Sequence, residues 1–222
     1  MILVISAPSG TGKTTLIDKL LQVESRLMFS VSTTTRKKRE REVDGINYYF
    51  IPKDVFLKMI DNDEFFEWAE VYGNYYGTTK KEIDRILGER KIPLFDVDIQ
   101  GSASLREKIK DGVFVFIIPP SFDDLKERLI DRKTENQEQV DLRLKNAYYE
   151  LNEYSRFDYI IINDKIDEAF TSLRAIIAAN FKPEDETDKI PDGFFIMAER
   201  CKLENMKDKV DKILEGFNDY SA

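Results

Sequence analysis

The residues with the clearest chemical potential open the chain: Ser6-Ala7-Pro8-Ser9-Gly10-Thr11-Gly12-Lys13-Thr14. The apolar run Ile2-Leu3-Val4-Ile5 feeds this glycine-containing loop, and an amphipathic stretch with Leu16, Leu20, Leu21 and Val23 follows it. Between a strand and a helix, such a loop has a physical meaning as a phosphate cradle. Its backbone N–H groups can point inward at phosphate oxygens, and the helix N-terminus adds partial positive charge. Lys13 can then reach the outer phosphates, and the Thr14 hydroxyl can ligate a magnesium ion. The expected ligand of Ala7 through Thr14 is a nucleoside triphosphate. Ala7 stands where the strict pattern has glycine; alanine tolerates most turn conformations but not a positive φ.

Two further groups could do chemistry. Asp96 and Asp98 fall at the carboxyl end of an apolar run, where ligands of α/β sheets sit. Alternation along a strand places both on one face. An acid there holds magnesium directly or through water, or else it caps a following helix, expected over Gly101 to Lys110. The cluster Thr33-Thr34-Thr35-Arg36-Lys37-Lys38-Arg39 concentrates hydroxyls and cations. Arginine forks match phosphate oxygens two at a time, so it reads as a second phosphate site or as a solvated charge run. The aromatic segments Glu64-Phe65-Phe66-Glu67-Trp68 and Asn74-Tyr75-Tyr76-Gly77-Thr78 read as core, with a polar handle that could face a base.

The elements that must position these groups follow from the apolar pattern. Val113–Ile118, Ile92–Asp98 and Tyr159–Ile162 are continuous apolar runs rather than alternating ones, as strands covered on both faces are. Helical spacings separate them: Ile83, Ile86 and Leu87; Leu105 and Ile109; Leu125, Leu129 and Ile130; Ala169, Phe170, Leu173, Ile176 and Ile177. This rhythm predicts βαβ units and a doubly wound sheet. Residues 29–76 break it, and Ile46–Phe50 is expected as a strand within a small mixed insertion. The charged stretch Arg128–Arg143 reads as a solvated helix pair or an arginine-bearing lid. Lys182–Glu186 is expected as a linker. Leu203, Met206, Val210, Ile213, Leu214 and Phe217 follow helical spacing, on a helix packed against the body or another chain.

Composition narrows the chemistry. With 222 residues the default is one domain with its own core. The net charge of −8 argues against a general nucleic-acid binder. There is no histidine, which removes histidine bases, nucleophiles and metal ligands together. The lone Cys201 allows no internal disulfide and no thiolate cage, and is expected as an ordinary helix residue. No run is long and apolar enough to span a bilayer, and no signal sequence precedes the first strand, so a cytoplasmic protein without a membrane partner is expected.

Taken together these segments resemble the guanylate kinase family. The resemblance rests on the phosphate loop, Val31–Arg39, Glu42-Val43-Asp44-Gly45-Ile46-Asn47-Tyr48-Tyr49-Phe50, Phe66-Glu67-Trp68-Ala69, Gly73–Thr78, Asp96-Val97-Asp98-Ile99-Gln100-Gly101 and Ile162-Asn163-Asp164. It implies a P-loop nucleoside monophosphate kinase fold: α/β, with a central parallel sheet, helices on both faces, a small mixed GMP-binding insertion and a helical lid. On that reading the kinase domain covers 1–180. Its core is about 1–31 and 79–180, the insertion about 32–78 and the lid about 128–146; residues 181–222 form a linker and amphipathic helix.

The implied activity is ATP-dependent phosphorylation of GMP, and of dGMP, in purine nucleotide metabolism, by a monomer or homodimer using Mg2+. Arg36, Arg39, Tyr48 and Tyr76 would grip the GMP phosphate. Glu67 would accept from guanine N1–H and the 2-amino group, Ser32 and Thr78 would bond the O6 side, and Asp98 the 2-amino side. Lys13 and the loop would hold the ATP phosphates, with Thr14 on magnesium and Asp96 nearby. Arg132 and Arg143 would reach the transferring phosphoryl, and Arg128 and Asn163 would lie near the adenine. The acceptor is an already ionised phosphate, so a chain without histidine suffices. The sequence departs from the family at Asp131-Arg132-Lys133, where Gly-Arg-Gly is frequent, at Lys38 in place of proline and at Arg41 in place of glycine. Two alternatives stand beside this reading: a catalytically silent module binding phosphorylated partners, and a P-loop kinase for another phosphorylated acceptor.

Overall fold

The computed structural model describes residues 1–71, 73–130, 137–181 and 190–217. In chain order the first half holds β1 (Ile2–Ser6), α1 (Lys13–Val23), β2 (Leu27–Phe29), β3 (Thr33–Thr34), β4 (Tyr49–Phe50), α2 (Lys53–Asp61), β5 (Phe65–Val71), β6 (Asn74–Thr79) and α3 (Lys80–Gly88). The second half holds β7 (Ile92–Asp96), α4 (Ile99–Lys108), β8 (Gly112–Ile118), α5 (Phe122–Ile130), α6 (Gln137–Asn152), β9 (Tyr159–Ile162), α7 (Ile166–Asn180), α8 (Phe194–Arg200) and α9 (Leu203–Glu215). A short 3-10 turn, Glu153–Arg156, precedes β9. The apolar runs form one sheet in the order β2-β7-β1-β8-β9. The β2–β7 and β8–β9 pairings are parallel, and Leu3, Val4, Ile5, Leu94, Phe114 and Phe116 are fully buried. The chain divides into two units, Met1–Val4 with Glu24–Gly112 and Ile5–Val23 with Val113–Ala222.

In the first unit a second sheet runs β4-β3-β6-β5. β5 and β6 are antiparallel, with a bulge between Phe65 and Glu67. Gly77 makes this hairpin possible: a Cβ there would lie 2.7 Å from the Glu67 carbonyl oxygen and 2.8 Å from the Trp68 Cβ. Phe56 of α2 stacks on Phe65 at 4.2 Å and tilts on Tyr75 at 5.5 Å; of the aromatics expected as core, Phe65 is buried, Phe66, Tyr75 and Tyr76 are half-buried and Trp68 is exposed. The strand expected over Ile46–Phe50 shrinks to Tyr49–Phe50. Side chains take over the backbone there: the Val43 N–H donates to Asn47 Oδ1 (2.8 Å) and the Phe50 N–H to Asp44 Oδ1 (2.9 Å). Such local bonds compete with a ladder and favour turns.

In the second unit α1 buries Leu16, Ile17 and Leu20, while Val23, grouped with them by spacing, is exposed. The tail folds as two helices, α8 being unforeseen, and buries Met206, Val210 and Phe217. Cys201 lies just past the end of α8, not within a helix, and is buried. Between α8 and α9 the backbone runs antiparallel beside β9. The Ile160 N–H donates to Cys201 O (2.7 Å) and the Leu203 N–H to Asp158 O (3.0 Å). The lid residues Asp131, Arg132 and Lys133 and the linker Lys182–Glu186 lie outside the described residues. No helix among the described residues is long and apolar enough to cross a membrane.

Candidate active site

The phosphate loop belongs to the second unit and is built around two left-handed glycines, Gly10 (φ +93°) and Gly12 (φ +89°). Ala7 takes no positive φ, so alanine there carries no strain. Thr11 closes the turn, its hydroxyl donating to Pro8 O at 2.8 Å. Side chains of the opposite elements hold the loop from beneath. The buried Asn163 amide donates to Thr11 O at 2.6 Å, in space that exists only because residue 12 is glycine; a Cβ there would lie 2.5 Å from Asn163 Nδ2. Leu125 and Leu129 of α5 press on Gly10, where an added Cβ would meet each at 3.0 Å. Lys13 and the exposed Thr14 begin α1, with their N–H groups at the positive end of its dipole.

Two of the expected lid arginines are placed by this unit. Arg143 Nη1 donates to Ser9 Oγ at 3.1 Å, which brings α6 onto the loop itself. Arg128 Nη2 donates to Asn163 O at 3.0 Å and Asp164 O at 3.4 Å. Arg132 lies outside the described residues. Asn163, expected beside the adenine, has its amide engaged with the loop and is 4% exposed, so the structure gives it a supporting position.

The acceptor residues belong to the first unit. Glu67 follows the β-bulge, faces Thr78 across the β5–β6 ladder and is 3% exposed. Burial pushes its carboxyl up to about 7, against a smaller pull down from hydrogen bonding with Thr78. Thr78 Oγ1 is buried next to it. A buried, costly carboxylate beside a buried hydroxyl is what a site built to bond a polar ligand edge presents. Ser32 is half-buried just before β3, its carbonyl accepting the Tyr49 N–H at 2.9 Å.

Asp98 takes the cap role that the sequence left open for it, not a place on the strand face beside Asp96. β7 ends at Asp96, and Asp98 is the N-cap of α4, accepting the Gly101 N–H at 2.8 Å. That helix starts at Ile99 and stops at Lys108, not Gly101 to Lys110. The cap uses one oxygen, Oδ1.

The cationic cluster is ordered by an acid that spacing did not single out. Glu42 takes both ends of the Arg36 fork, Nη2 to Oε1 at 2.7 Å and Nη1 to Oε2 at 3.1 Å, and also accepts the Arg39 N–H at 2.8 Å. The bond to Arg36 holds the Glu42 carboxyl below its usual range and raises the guanidinium. Arg36 also lies 5.3 Å over the Tyr48 ring, which meets Tyr76 edge-on at 6.0 Å. Arg36, Tyr48 and Tyr76 thus come together, while the Arg39 side chain is exposed. Burial, then Asp96, pushes the Tyr48 hydroxyl up, which places Asp96 near this group. The signal for Glu42 was a lone acid closing a run of cations; only the turn from Arg39 to Glu42 makes it a partner.

A second missed carboxylate is Glu82, 3% exposed in α3. It accepts the Val31 N–H at 2.9 Å and forks onto Arg85 at 2.8 and 2.9 Å. The Thr79-x-x-Glu82 spacing is a capping pattern, and Thr79 Oγ1 does accept the Glu82 N–H at 3.1 Å. The Glu82 carboxylate reaches Val31 instead, tethering the residue before Ser32.

Comparison with known proteins agrees with this geometry. The guanylate kinase family model matches residues 1–180. The guanylate kinase of Clostridium perfringens strain SM101 is 40% identical over 219 residues, covering 99% of this chain and 91% of its own. That of Nitratidesulfovibrio vulgaris is 48% identical over 185 residues, 83% of this chain and 89% of its own. The crystal structure of guanylate kinase from Anaplasma phagocytophilum superposes with a TM-score of 0.67 at 32% identity, covering 83% of this chain and 87% of that one. The fold is accordingly that of a P-loop nucleoside monophosphate kinase, and the chain belongs to the guanylate kinase family.

Proposed function

We propose that this chain transfers the γ-phosphoryl group of ATP to the phosphate of GMP or dGMP, giving ADP and GDP or dGDP. The observation that carries the reading is Glu67. A carboxylate accepts the guanine N1–H and 2-amino hydrogens at once, whereas adenine offers an acceptor at N1, so the wrong base leaves a buried acid unpaired. Thr78 and Ser32 supply donors for O6, and Asp98 adds an acceptor on the 2-amino side. Arg36, Arg39, Tyr48 and Tyr76 bind the acceptor phosphate, which displaces or shares the hold of Glu42 on Arg36.

On the donor side the N–H groups of Ala7 to Thr14 and the Lys13 ammonium hold the ATP phosphates. Arg143, with Arg132, spreads positive charge over the transferring group, and Arg128 borders the adenine. Among the described residues there is no cluster of three or more acidic or cysteine ligands. Magnesium keeps several waters and binds through one or two protein oxygens plus substrate phosphates. Thr14 and Asp96 would hold the ion, which supplies charge neutralisation on the phosphates.

An ADP-release assay with Mg-ATP across GMP, dGMP, AMP, CMP and UMP tests the reading. Turnover with GMP and dGMP is expected; silence with GMP, or a preference for AMP, would reject it.

A further inference from the structure

The tail beyond residue 180 lies outside the matched family model, yet it ends against the two helices that press on the phosphate loop. Phe217 is fully buried. Its ring meets Phe122, the first residue of α5, edge-on at 4.9 Å, and lies 6.3 Å from Tyr148 in α6. Gly216 lies beside α5, where a Cβ would be in ordinary contact with the Phe122 Cβ at 3.4 Å. At the other side of α9, Asp211 accepts from the Tyr154 hydroxyl at 2.7 Å, tying the helix to the turn that follows α6.

Both contacted helices reach the loop directly. From Phe122, α5 continues to Leu125 and Leu129, which abut Gly10. From Tyr148, α6 runs back to Arg143, bonded to Ser9 Oγ. One aromatic ring therefore packs against two helices that also carry Leu125, Leu129 and Arg143 onto the loop. Packed interiors transmit such constraints because they are as dense as molecular crystals.

We propose that the C-terminal helix pair is a brace for the donor site, and that Phe217 is a positioning residue acting on ATP through α5 and α6. The proposal rests on the reading of Ala7–Thr14 and Arg143 as the ATP site. Removing the ring frees α5 and α6 to drift, which loosens ATP and misaligns Arg143. The GMP residues belong to the other unit and keep their affinity.

The test is steady-state kinetics of the full-length wild type, Phe217→Ala, Phe217→Leu and Asp211→Ala. Phe217→Ala should raise KM for ATP about tenfold, with KM for GMP within about twofold, and Phe217→Leu should restore most of the loss by refilling the space. Asp211→Ala, an exposed change that opens no cavity, should shift KM for ATP in the same direction by about twofold to threefold. A purely structural role would reduce the active fraction, lowering kcat with both KM values unchanged. That result, or equal rises in both KM values, would overturn the brace. If Phe217→Ala does not fold, an unchanged KM for ATP in Asp211→Ala overturns it. A wild type without ATP-dependent GMP phosphorylation would instead reject the underlying functional reading.

Discussion

At the scale of single residues, Glu67 and Lys13 carry sharply different consequences. Glu67 is protonated in the free protein below about 7, and a protonated carboxyl cannot accept both guanine hydrogens. We expect kcat/KM for GMP to rise with pH and level off above that value, since this parameter reports ionisations of the free enzyme. Glu67→Gln should lose that limb, retaining only the ionisation of the substrate phosphate near about 6, and should weaken GMP by about 2 kcal/mol in calorimetry while leaving ATP unchanged. Lys13→Met should leave GMP affinity within about twofold and cut kcat by roughly a thousandfold or more, because the ammonium acts on charge that develops during transfer. Near-native turnover would remove Lys13 from the site. Lys13 was legible from the strand–loop–helix setting of its loop, whereas Glu67 stood out only as a polar handle in an aromatic segment, and its role came from the family resemblance. Glu42 and Glu82 were not legible. Their partners, Arg36 and Val31, are chosen by a turn and by long-range packing that spacing does not encode.

At the scale of elements, legibility followed the source of each element's stability. β1, β8 and β9 are apolar runs that have nowhere to go but a buried sheet, and they appeared where the pattern put them. The β5–β6 hairpin mixes aromatic and charged residues and lacks an Asn-Gly or Asp-Gly turn, so its pairing could not be read. Asp98 shows the same limit at a boundary. Alternation carried the strand on to Asp98; the alternative cap was the right one, and it ends the strand at Asp96. The hairpin also gives a sharp test. Gly77→Ala forces a Cβ to within 2.7 Å of the Glu67 carbonyl oxygen. Because that neighbour is backbone, the strand must shift, at a cost of about 2 kcal/mol or more. We expect a lowered Tm and a rise in KM for GMP greater than that for ATP; an unchanged Tm would refute the close approach.

At the scale of the whole molecule, the buried acid links stability to pH. Glu67 rises from an ordinary 4.5 to about 7 on folding, so the folded chain binds the extra proton. Its contribution is fully present below 4.5 and is lost as pH climbs through about 7. The upper bound is about 3 kcal/mol for this group. Denaturant midpoints of wild type minus Glu67→Gln should therefore fall between pH 5 and pH 8, and a flat difference would place the carboxyl in water. The alternation of apolar runs and helical spacings predicted the α/β class, and composition gave an acidic chain without histidine. Neither could show that the tail folds into two helices, since α8 spans only Phe194–Arg200 and offers too few turns for a periodic signal.

The short backbone contact between β9 and the segment after α8 has one more effect. β9 is the outermost strand of its sheet, and the donors and acceptors along such a border invite another chain to add itself. Here Cys201 and Leu203 occupy Ile160 and Asp158 in advance. A chain cut after Asn180 should expose that border and self-associate on concentration, seen as growing light scattering where the full-length protein stays clear. The tail thus doubles as a stopper against polymerisation, a service independent of any nucleotide.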